Sequence, residues 1–265
     1  MKIALIQMKT TADKALNLSH ARELVLSAKD KGADLAILPE MFICPYENPA
    51  FPVYAEKEGG ESFVYLSNLA KEAGLMLLAG SVPEEDAGRI YNTAYVFGKD
   101  GSLLAKHRKV HLFDIDVPGG QRFFESDTLS PGDTATVFDT PFGKAGLCIC
   151  YDMRFPEMFK KFREKGVKLI LIPAAFNMTT GPLHWELLLR SRAMDCQSYV
   201  CAVSPARDLS ASYHAWGHSM AVDPWGKVLA EAAEGEEMLL VELEAEAVRS
   251  VRQAIPVLQQ AKEVK

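Results

Sequence analysis

The chain has no basic excess: 29 Lys and Arg face 35 Asp and Glu, leaving a formal net charge of −6. Nucleic acids and anionic membranes recruit proteins through basic patches, so neither is expected as a partner. The densest basic cluster, KHRK at 106–109, is too short to change that. No run of about 18 uninterrupted apolar residues occurs, so no membrane-crossing helix is expected. The opening MKIALIQM enters an apolar segment at once, without the long apolar region or cleavage site of a signal peptide. Cysteines are few: Cys44, Cys148, Cys150, Cys196 and Cys201 are spread over 265 residues. An odd, scattered set does not make the disulfide framework of a small secreted scaffold, so reduced thiols in a cytoplasmic protein are expected. No linker, low-complexity tract or repeat divides the chain, and residues 1–265 read as a single domain.

What is present is ordinary globular material, 48% hydrophobic and long enough to bury a large core. Short apolar runs rich in β-branched residues recur at 3–7, 35–39, 75–82, 90–98, 169–175, 199–205 and 238–244. Bounded by Gly, Pro and charge, they read as buried strands. Helical spacing appears over 14–29, 62–73, 154–165 and 182–197, the second with Ser62 as expected N-cap and Gly74 as its stop. Strands alternating with helices, then strands following strands at 75–98 and 134–150, predict layered α/β with mixed sheets.

The segment GLCICYDMRFPE, 146–157, closes a predicted strand, GKAGLCIC, with two cysteines and then opens a helix. In α/β sheets ligands gather beyond the carboxyl ends of strands, which favours Cys150 over Cys148 as a reactive thiol. Helix N–H groups just after Cys150 would lower its pKa. The plain alternative is that both cysteines are buried small hydrophobes. LAILPE ends another strand on Glu40, where burial would suit a carboxylate to proton transfer. Lys109, flanked by Val110 and followed by Leu112 and Phe113, is placed to stabilise an oxyanion. Other arrangements stay open at this stage. Cys148 and Cys150 with His107 and His111 would make a metal or redox module, and His184, His214 or His218 would serve a cysteine–histidine hydrolase. A scaffold that keeps the fold without activity is a third.

LPE at 38–40, HRKVHLFDIDVPG at 107–119, FFESDTLSPG at 123–132 and GLCICYDMRFPE resemble, in order, the Glu, Lys, second-Glu and Cys motifs of the nitrilase-type carbon–nitrogen hydrolases. The likeness continues through 176–195 and 204–232 and is closest to the omega-amidase branch, which hydrolyses the side-chain amide of 2-oxo acids. The resemblance implies a four-layer α-β-β-α sandwich with two mixed β-sheets, and a homodimer or higher homo-oligomer. It implies Cys150 as nucleophile, Glu40 as general base and acid, Lys109 as oxyanion stabiliser and Glu125 as the carboxylate that braces the lysine. It further implies Arg154 and Thr180 as holders of the substrate carboxylate and Tyr46 as a pocket wall. The implied substrate is a small amide bearing a carboxylate, 2-oxoglutaramate or 2-oxosuccinamate, with deaminated glutathione or an N-carbamoyl compound as alternatives. No metal or other cofactor is called for. Two departures stand near the site: PGGQ at 118–121, where many relatives carry PGK, and Cys44, for which the resemblance gives no role.

Overall fold

The computed structural model describes residues 1–262. A seven-stranded sheet runs in the order Glu237–Glu242, Lys2–Gln7, Leu35–Ile37, Met76–Leu78, Arg89–Phe97, Val82–Asp86, with Leu103–Arg108 also paired to Arg89–Phe97. A six-stranded sheet runs Val228–Glu231, Met220–Val222, Tyr199–Val203, Leu169–Pro173, Gly143–Leu147, Thr136–Thr140. Both are mixed, with parallel pairs at their centres and antiparallel pairs outside.

Alternation along the strands builds the layers. Ile3, Leu5, Leu35 and Ile37 join one buried cluster with Ala145, Leu147 and Leu171 of the second sheet. Their neighbours Ala4, Ile6, Ala36 and Leu38 join another with Leu18 and Val25 of helix Lys14–Asp30 and Leu66 and Leu69 of helix Glu61–Ala73. Side chains two apart share a face of a strand, so the first sheet is covered by helices on one side and by the second sheet on the other. Phe159, Trp185 and Leu189, from helices Pro156–Glu164 and Gly181–Cys196, cover the second sheet's outer face. The result is the four-layer α-β-β-α sandwich.

The elements differ from expectation in several places. The run at 75–82 is two strands, broken where Gly80 adopts φ +55° and packs so closely that a Cβ there would stand 2.1 Å from the Pro39 carbonyl oxygen. That contact lies one residue before Glu40. Helix 62–73 begins at Glu61, and Ser62 does not cap it; its hydroxyl and backbone N–H bond the Glu56 carboxylate instead. Gly74 does end it, in the left-handed conformation. The strand before the paired cysteines ends at Leu147, not Cys150, and a 3₁₀ turn, Cys150–Arg154, precedes the helix at Pro156. Finally, KHRK belongs largely to the strand Leu103–Arg108.

Candidate active site

Three strand exits converge on one buried cluster. Glu40 follows the strand Leu35–Ile37, Lys109 follows Leu103–Arg108, and Cys150 follows Gly143–Leu147. Glu125 arrives from the ribbon Asp114–Asp116 with Arg122–Phe124. Lys109 Nζ stands 2.9 Å from Glu40 Oε1 and 3.0 and 2.9 Å from the two oxygens of Glu125. All three side chains are shut off from solvent. Tyr46 donates to Glu125 Oε1 at 2.6 Å, and Asn92 Nδ2 donates to Glu40 Oε1 at 2.7 Å. The Phe113 backbone N–H fixes Glu125 Oε2 at 2.6 Å. Glu40 Oε2 is the exception: among the described residues it has no well-formed hydrogen bond.

Burial pushes the Glu40 carboxyl above its ordinary value, against the pull of Lys109, with the Glu125 charge adding to the rise. Burial alone would lower Lys109, but Glu125 and Glu40 outweigh it and hold the ammonium protonated. The cluster therefore keeps one fixed cation between two carboxylates, one of them poised to exchange a proton.

Cys150 is buried and adopts φ +46°, a left-handed conformation rare outside glycine. Strain of this kind, about 1–3 kcal/mol, persists where surrounding structure fixes it. Asp152 supplies that fixing. Its Oδ2 takes the Ile149 backbone N–H at 3.0 Å and His107 Nε2 at 3.1 Å; its Oδ1 takes His111 Nδ1 and the His111 backbone N–H, both at 2.8 Å, and the Val110 N–H at 3.2 Å. One carboxylate thus ties the cysteine turn to the residues on both sides of Lys109. The thiol pKa, expected to be lowered, is instead pushed well up, by burial first and then by Glu40. Lys109 and the Ala175 backbone N–H oppose this and lose, because a single short turn brings little dipole and the thiol is fully buried.

Tyr46 does more than line a wall: its ring borders a cavity of about 400 Å³ while its hydroxyl belongs to the Glu40–Lys109–Glu125 cluster. Cys44 borders the same cavity. Tyr213 lines the cavity beside Tyr46, its ring centroid 4.6 Å away and tilted by 37°, and donates to the Ala175 carbonyl. Arg154 Nη1 lies 3.0 Å from His184 Nδ1. Thr180 stands at the start of helix Gly181–Cys196, but its hydroxyl goes to Asn177 Oδ1 at 2.9 Å rather than to Arg154. Asn177 also bonds Gln121, which links the 118–121 loop to this corner. His107 and His111 turn to Asp152 and not to the cysteines. His218 bonds Glu231, and His214 is exposed, so none of the three histidines considered as a base hydrogen-bonds Cys150.

Asn92, Asp152 and Tyr213 are the site residues that sequence reasoning passed over. Asp152 lies within the cysteine motif itself, two residues past Cys150, and that adjacency was the available signal.

Residues 2–253 match the carbon-nitrogen hydrolase family. The chain is 54% identical to the omega-amidase NIT2 of Mus musculus over 98% of its own length and 94% of that protein's. It is 52% identical to the omega-amidase NIT2 of Homo sapiens, over the same shares. Among solved structures, Nit3 of Saccharomyces cerevisiae, a member of the nitrilase superfamily, superposes with a TM-score of 0.90 at 46% identity, over 97% of this chain and 94% of that one. An amidase from Nesterenkonia sp. AN1, a glutamate-to-glutamine mutant with acrylamide added at its active-site cysteine, superposes at 0.80 with 26% identity, over 97% and 98%.

Proposed function

The chain belongs to the carbon-nitrogen hydrolase family and is a hydrolase of carbon–nitrogen bonds, and from that premise we propose that it is an omega-amidase, releasing ammonia from the terminal amide of 2-oxoglutaramate or 2-oxosuccinamate through a thioester on Cys150. The observation that carries the reaction type is the cluster itself: Cys150 against a Glu40 whose Oε2 is free, beside a Lys109 held by two carboxylates.

In this mechanism Glu40 takes the thiol proton as the sulfur attacks the amide carbon. A C–S bond forms, and the carbonyl oxygen becomes an oxyanion met by the Lys109 ammonium and the Tyr151 backbone N–H. Lys109 has a third proton, directed at Tyr46 at 3.3 Å, to turn toward that charge. Glu40 returns its proton to nitrogen, the C–N bond breaks and ammonia leaves. Glu40 then draws a proton from water, which attacks the thioester; the C–S bond breaks, sulfur recovers its proton and the dicarboxylate departs. A carboxyl that both takes and gives protons needs a pKa nearer neutrality than an ordinary glutamate, in keeping with the rise described above.

Substrate class rests on Arg154. It is a half-buried cation facing Cys150 and Tyr213, with no acid beside it among the described residues, and its planar fork matches a carboxylate. Thr180 is the hydroxyl proposed to assist it. Assembly is proposed as a homodimer, supported by the exposed Leu183, Leu187 and Met194 on helix Gly181–Cys196 and the nearby exposed Trp225. The direct test of substrate class is a comparison of kcat/KM on 2-oxoglutaramate, deaminated glutathione, an N-carbamoyl amino acid, a nitrile and a neutral aliphatic amide. The 2-oxo acid monoamide is expected to lead, and leadership by any other would overturn the assignment.

A further inference from the structure

Among the described residues, no carboxylate oxygen comes within 4.0 Å of the Arg154 guanidinium. Its Nε is buried without a partner. Its Cζ lies over the rings of Phe176 and Tyr151, 5.0 and 5.4 Å from their centroids. An enclosed guanidinium ordinarily takes an acid, because desolvating the charge without one is costly. Here its one side-chain hydrogen bond goes to an imidazole, His184 Nδ1 at 3.0 Å.

A guanidinium only donates, so Nδ1 must accept, and His184 carries its proton on Nε2. Protonation is disfavoured from two sides. Burial and then the Arg154 charge hold the His184 pKa below its ordinary value. The residue also lies in the first turn of helix Gly181–Cys196, at the positive end of the helix dipole. That turn fixes the backbone from which the ring projects, since the His184 backbone N–H bonds the Thr180 carbonyl at 2.9 Å. A neutral acceptor orients the fork and leaves its charge uncompensated. An acid in the same place would close an ion pair and compete with an incoming anion.

We propose that His184 is the specificity-determining positioning residue of this site: by accepting from Arg154 Nη1 as a neutral imidazole, it sets the guanidinium for bidentate capture of the substrate carboxylate. This rests on the reading of Arg154 as the carboxylate anchor. Discrimination between anionic and neutral amides is then a property of the pair, and histidine is the residue type that can hold an arginine without neutralising it.

The test measures kcat/KM for 2-oxoglutaramate and for butyramide in the wild-type protein and in His184→Leu, His184→Asn, His184→Asp and Arg154→Leu. His184→Leu is expected to lower the ratio of the two values about tenfold, through KM for the anionic amide. His184→Asn, with an amide oxygen near the place of Nδ1, restores most of the ratio. His184→Asp lowers it at least as far as His184→Leu. If the leucine variant does not fold, the contrast between an asparagine variant near the wild-type ratio and an aspartate variant well below it decides. Selective loss in Arg154→Leu, with the ratio within about twofold of wild type in the leucine and aspartate variants, overturns the role of His184 alone. Equal loss on both amides in Arg154→Leu overturns the anchor reading and this inference with it.

Discussion

Glu40 and Lys109 meet through one oxygen only: Oε1 lies 2.9 Å from Nζ, while Oε2 is left without a hydrogen-bond partner among the described residues. The carboxylate is thereby split into an anchored atom and an unbonded one, which the proposed mechanism uses for proton transfer. Lys109 holds the group in place, and burial keeps its proton affinity up.

In the proposed mechanism Glu40 works ionised, so activity is expected to rise with pH as it loses its proton. The acid limb of kcat/KM is expected above the ordinary glutamate value of 4.5, with no lysine limb below 10.5, since Lys109 is shifted upward. A pH profile on 2-oxoglutaramate checks this. Glu40→Gln should lose about 10³-fold in kcat at every pH, in the range general-base removal gives.

The two cysteines of GLCICYDMRFPE should separate cleanly. Cys148 is fully buried in the core near Cys196 and Arg192 of helix Gly181–Cys196, whereas Cys150 is the strained residue next to Glu40. Cys148→Ala should retain most activity and lose about 1 kcal/mol of stability, the scale of a small buried truncation. Cys150→Ala should be inactive and fold normally, as circular dichroism and urea unfolding would show. Comparable loss of activity in both would mean that the wrong sulfur was chosen.

Asp152→Asn tests the tie between the Lys109 and Cys150 segments. The carboxylate's pKa is held far below normal: its burial opposes this, but the His107 and His111 hydrogen bonds and the Ile149 N–H prevail. A depressed carboxylate contributes stability that is complete above its unfolded pKa, near 3.8, and is lost as pH falls through the lower folded value. At pH 7 the asparagine variant should therefore be less stable by about 3 kcal/mol in urea unfolding, the scale of a broken buried ionic network. The gap should narrow below about pH 4. Reduced kcat is expected with it, because the reacting groups are displaced.

Much of the site was legible because its members sit at strand exits inside short motifs: Glu40 in LPE, Lys109 in HRKVH, Cys150 in CYD. The roles of Tyr46 and Asn92 were not, since the Tyr46 hydroxyl meets Glu125 across 79 residues and Asn92 meets Glu40 across 52. No local pattern encodes such contacts. The strand Leu103–Arg108 escaped notice for a different reason. Its residues are mostly half-buried or exposed and three of its six are basic or histidine, so the apolar alternation that marks a strand is absent. The break at Gly80 depends on a close backbone approach that only the packed sheets create, and the positive φ at Cys150 on the long-range hydrogen bonds of Asp152.

Rapid acid quench of the wild-type protein turning over 2-oxoglutaramate, followed by intact-mass and peptide mass analysis, reads the proposed intermediate itself. The expected result is an adduct equal in mass to the substrate less ammonia, carried on the peptide that contains Cys150 and absent from Cys150→Ala. An adduct on Cys148 or elsewhere, or ammonia release by Cys150→Ala at the wild-type rate, would show that the chemistry does not run through this sulfur.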